Sequence, residues 1–64
     1  MYRVLRVVVK GGRGWRYATS RVFSDIEAAN IYAATVHPHW QAIVLEEVAA
    51  KAFLRLRGRH DLIR

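Results

Sequence analysis

The chain has no cysteine. That excludes disulfide staples and thiolate zinc sites together, and it fits a reducing compartment. It also has no apolar run of the ~18 residues that a membrane-crossing helix needs. The start, MYRVLRVVV, is basic and apolar, but the run is short and β-branched. It leads into GGRG with no small-residue cleavage site, so it reads as a strand and not as a signal peptide. The expected location is the cytoplasm of the producing cell, or of a host if this is a viral product. There are no internal repeats and no low-complexity linker. Acid is scarce: five Asp/Glu stand against eleven Lys/Arg, for a net charge of +6. Lysine is scarce too, since nine of those eleven are arginine. Arginine forks onto phosphate or carboxylate and stacks on flat rings, which lysine does less well.

What is present describes one small globular domain. The 64 residues are 53% hydrophobic, too apolar for a disordered chain. A domain of this size buries only ~60% of its unfolded surface, so it needs good packing or a partner subunit. A pI near 10.9 points to nucleic acid, an anionic membrane or an acidic protein surface as partner, and not to any fold.

Residues 2–10 alternate imperfectly and read as a strand. Leu5, Val7 and Val9 point one way; Tyr2, Val4, Arg6, Val8 and Lys10 point the other. Residues 15–23, WRYATSRVF, read as a second strand, with Trp15, Tyr17, Thr19, Arg21 and Phe23 on one face. Gly11, Gly12 and Gly14 suit the hairpin turn between them. Ser24-Asp25-Ile26-Glu27 matches a capping box with Ser24 as N-cap. The helix that follows has Ile26, Ala29, Ala33 and Val36 as its inward stripe, and it ends at His37-Pro38. Residues 41–48 read as a third strand, pairing antiparallel with the first. Residues 49–57 favour a short helix ended by Gly58. The sequence thus predicts an α+β fold, ββαβ(α): a three-stranded antiparallel sheet with one helix on one face and a short C-terminal helix. Residues 1–57 form the domain, and 58–64 a loose basic tail. The second face carries Val4, Val8, Val22, Val44 and Val48, too much valine to leave in water. Either the C-terminal helix folds under it, or a second copy of the chain does.

KGGRGWRY, residues 10–17, is the first candidate site. A glycine tip would present Lys10, Arg13 and Arg16 to phosphates, with Trp15 or Tyr17 free to stack on a base. The plainer reading is a hairpin turn with Trp15 and Tyr17 in the core beneath the helix, which the shared parity with Phe23 favours. The glycines do not match a phosphate loop, because the loop leads into a strand and not a helix. The second candidate is KAFLRLRGRHDLIR, where Lys51, Arg55, Arg57, Arg59 and Arg64 outweigh Asp61. It can follow phosphates, enter a groove, or serve only as a solvated face. A membrane is its weakest partner, because the apolar face is short.

His37 and His39 flank a proline and do not make a metal site by themselves. Glu46 and Glu47 face opposite sides of a strand, so they suit pairing with neighbouring arginines and not paired acid–base chemistry. No nucleophile–base set can be named, so no enzyme, cofactor or metal is expected. The element order departs from the ribonucleoprotein-type RNA-binding sheet and from the double-stranded-RNA-binding domain. A hairpin followed by a helix resembles many tiny bacterial and phage proteins in shape, and shape carries no function.

The favoured expectation is a nucleic-acid-binding module of weak sequence specificity. Its phosphate contacts would be Arg6, Lys10, Arg13, Arg16, Arg55, Arg57 and Arg59. The alternative is a protein-binding modulator, a phage-type inhibitor or adaptor. It would use the valine face and the same arginines on an acidic partner, or on a second copy of the chain.

Overall fold

A computed structural model describes residues 1–9 and 14–63. The valine-rich start forms β1 (Tyr2–Val8), β2 covers Thr19–Phe23, α1 covers Ile26–Ala34, β3 covers Trp40–Glu46 and α2 covers Glu47–Leu56. Two 3-10 turns complete the chain, Gly14–Tyr17 and His60–Ile63. The sheet order is β2-β1-β3 with both pairings antiparallel. The fold is therefore the expected three-stranded α+β sheet with two helices.

The register explains why the alternation of β1 is imperfect. Tyr2, Val4, Arg6 and Val8 pair through the face that holds Arg21, Phe23, Trp40 and Val44. Arg3, Leu5 and Val7 share the opposite face with Ser20, Val22, Ile43 and Leu45. α1 covers the first face, where Tyr32 meets both Arg6 and Phe23. α2 covers the second, where Glu47 meets Arg3. A central strand covered on both sides needs apolar residues on both, and Val4, Leu5 and Val7 are all buried. Burying each fully contributes roughly 1.5–3 kcal/mol.

Several boundaries and faces differ from the sequence reading. The second strand begins at Thr19 and not at residue 15. Trp15 lies in the 3-10 turn and packs on Phe53 of α2, with ring centroids 5.5 Å apart. Tyr17, expected in the core, is 55% exposed. Gly14 sits so close to the end of β1 that an added Cβ would collide with the Val8 carbonyl and lie 2.6 Å from Val7 Cγ1. The α1 N-cap is Asp25 and not Ser24; its carboxylate accepts from the Glu27 amide at 3.3 Å. Within α1, Ala29 is buried but Ile26 is exposed, and Tyr32 takes the inward place over Phe23. The valines expected together on one open face are divided: Val4, Val8 and Val44 lie under α1, Val22 lies on the α2 side, and Val48 is exposed on α2. The face that carries Val4, Val8 and Val44, expected to await the C-terminal helix or a second copy, is thus covered by α1, and α2 covers the opposite face.

The C-terminal segment, expected to be loose, folds back instead. Gly58 ends α2 with φ 70°, a conformation glycine adopts without penalty. Its amide bonds Arg55 O at 3.0 Å, and the Arg59 amide bonds Leu54 O at 2.9 Å, the pairing that closes a helix end. The chain then returns along the sheet. Arg3 donates to the carbonyls of Leu62 at 2.7 Å and Ile63 at 3.1 Å. Arg3 is 2% exposed and also donates to Ser20 Oγ and to both carboxylate oxygens of Glu47, at 2.7 and 3.1 Å. One buried guanidinium thus joins β1, β2, α2 and the tail.

Candidate functional surface

Lys10 and Arg13, expected at the hairpin tip, lie outside the described residues. The other five expected contacts are sorted by the fold into three groups. Arg57 lies beside aromatic rings on the α2 side, and Arg16 follows Trp15 in the 3-10 turn. The Arg57 guanidinium lies 4.4 Å from the Trp15 ring and 4.7 Å from the Phe53 ring. Arg16 lies 5.7 Å from the Tyr17 ring. Stacking holds Arg57 in one orientation, so less side-chain entropy is lost when it meets an anion. The segment that carries Lys10 and Arg13 leads directly into this 3-10 turn. The turn and α2 together thus carry one stacked cation, a second exposed cation and an exposed aromatic ring.

Arg55 and Arg59 stand apart. Arg55 lies roughly 160° around α2 from Phe53 at 100° per residue, so it projects away from that surface. Arg59 is bound to Asp61 by two hydrogen bonds of 3.0 and 2.9 Å. Its pKa is raised above the ordinary value, first by the hydrogen bonds it donates to Asp61 and, against a smaller desolvation effect, by the Asp61 charge.

Arg6 is on the opposite side of the sheet. It folds over Tyr32 with its guanidinium carbon 3.6 Å from the ring centroid. Nη2 donates to Tyr32 O at 2.9 Å and Thr35 Oγ1 at 3.2 Å, which satisfies a carbonyl at the α1 C-terminus. Beside it lies a cleft of about 240 Å³ lined by Arg6, Thr19, Tyr32, Val36, His37 and Trp40. Arg21, which the sequence reading placed only as a strand residue, also lies on this side, 5.2 Å from Tyr32 and 5.4 Å from Phe23.

His37 and His39 have ring centroids 5.1 Å apart, and the His39 amide donates to His37 Nδ1 at 3.1 Å. Among the described residues no three His, Cys, Asp or Glu side chains lie together as a metal site. Nor, among them, is any helix long and apolar enough to cross a membrane. Glu47 does pair with a neighbouring arginine, Arg3, at 2.7 Å. The sequence reading missed Arg3, although its parity with Leu5 and Val7 marks it as inward. No known protein family, curated protein or solved structure matches the chain.

Proposed function

We propose that the protein is a small nucleic-acid-binding module of weak sequence specificity that holds a single strand on its α2 side. The observation that carries this reading is the Arg57 guanidinium held on Trp15 and Phe53, with Arg16 and the exposed Tyr17 following Trp15 in the same 3-10 turn. In this reading Arg16 and Arg57, joined by Lys10 and Arg13, contact phosphates. Tyr17 offers its ring to a base, a contact worth about 1–3 kcal/mol. No side chain is assigned to base edges, so affinity depends little on sequence. The module acts by binding alone, without a catalytic group or cofactor, and it works in the cytoplasm.

The protein-partner reading drew on an open valine face, and the helices occupy both faces of the sheet. It is therefore the weaker of the two.

A matched pair of double variants tests the proposal. Arg16→Glu with Arg57→Glu is expected to weaken single-strand binding at least about tenfold. Lys51→Glu with Arg55→Glu changes net charge equally on the outer side of α2 and is expected to cost less than about threefold. Equal losses would mean that net charge alone attracts the strand, and would overturn the assigned surface.

A further inference from the structure

The cleft beside Arg6 is a second place with unspent chemistry, on the α1 side of the sheet. Arg6 is half-buried, and among the described residues it makes no ion pair. Its Nη2 is used by Tyr32 and Thr35, while its buried Nε has no hydrogen-bond partner. No carboxylate lines the cleft. A partly desolvated cation without a counter-ion favours an anion.

The other lining residues narrow the class of that anion. Thr19 supplies a hydroxyl. His37 accepts a hydrogen bond at Nδ1, so the neutral ring carries its proton on Nε2 and can donate there. Trp40 and Val36 supply an aromatic and an aliphatic wall. Phosphate suits the guanidinium, hydroxyl and imidazole donors, and a flat ring suits Trp40. At about 240 Å³ the cleft is smaller than the roughly 300–1,000 Å³ of drug-sized sites. At that size it takes at most one nucleotide, with part of the ligand left in solvent, and not a run of them.

We infer that this cleft binds a nucleoside 5′-phosphate, with the phosphate on Arg6, Thr19 and His37 and the base against Trp40. The inference does not rest on the strand-binding reading, because Arg57 and the Trp15 and Phe53 rings lie on the other side of the sheet. The same chemistry is offered by a free nucleotide and by the 5′-phosphorylated end of a strand.

Site-resolved NMR of the full chain tests it, because Trp15 and Trp40 give separate indole resonances. Adenosine 5′-monophosphate, adenosine, inorganic phosphate and a trinucleotide with and without a 5′-phosphate are each titrated. Saturable shifts at the Trp40 indole, His37 and Thr19 with the monophosphate support the site with a free nucleotide as ligand. The same shifts with only the 5′-phosphorylated trinucleotide support it with a strand end as ligand. Arg6→Gln is expected to weaken binding about tenfold. Since Arg6 also holds the α1 C-terminus, His37→Ala, at an exposed position, is the second variant and is expected to weaken binding about threefold. Four results would overturn the inference: no Trp40 shift with either phosphorylated ligand, equal shifts with adenosine, shifts confined to Trp15 and Tyr17, or unchanged affinity in His37→Ala.

Discussion

Arg3 shows how one residue can organise a chain this small. It is buried, doubly bonded to Glu47, and caps two carbonyls of the C-terminal segment. Removing its partner leaves a buried cation uncompensated. Glu47→Gln is therefore expected to destabilise the fold by about 3 kcal/mol, at the low end for buried pairs because Glu47 keeps 17% of its side chain exposed. Urea unfolding reads this directly, and a change under about 1 kcal/mol would show that the pair is not buried in solution. Arg59–Asp61 is the contrast: the Asp61 side chain is 59% exposed, and Asp61→Asn is expected to shift the urea midpoint hardly at all. The sequence shows the residue types but not this difference. Arg3 and Arg59 look alike as letters, and only the covering of the second sheet face by α2 makes one of them structural.

At the scale of elements, the hairpin and both helices were legible, because valine runs, the Asp25 region, Pro38 and Gly58 are local signals. The start of the second strand was not. Residues 15–23 alternate well enough to extend the strand to Trp15, but Gly14 packs against the end of β1 and the chain turns as a 3-10 helix before pairing begins. Phe53, far away in sequence, then decides where Trp15 goes. Gly14→Ala is accordingly expected to cost about 1–3 kcal/mol by overpacking and to change the near-ultraviolet circular dichroism of the Trp15–Phe53 pair. Gly58→Ala is expected to cost about 1–2 kcal/mol through its positive φ while leaving that signal intact. The order of the tail is not legible for a similar reason: it depends on Arg3, some sixty residues earlier, and on no local pattern. Deleting residues 59–64 is expected to lower stability by about 2 kcal/mol, because Arg3 loses two carbonyl acceptors. An unchanged urea midpoint would instead make the tail dispensable.

For the molecule as a whole, the sequence conveys excess positive charge but not its arrangement. By charge alone, seven basic residues read as one binding set. The fold places Arg57 on the Trp15 and Phe53 rings on the α2 side with Arg16 in the adjoining 3-10 turn, Arg6 in the cleft on the α1 side, and Arg59 in an ion pair. The central claim is that the first of these groups holds a single strand. The most direct measurement is the affinity of the full chain for a fluorescent single-stranded oligonucleotide across a salt series. The account predicts a straight log–log fall with a slope of about −1.5 to −3, the value for two to four phosphate contacts on a single strand. No binding at low salt, or an affinity indifferent to salt, would contradict it.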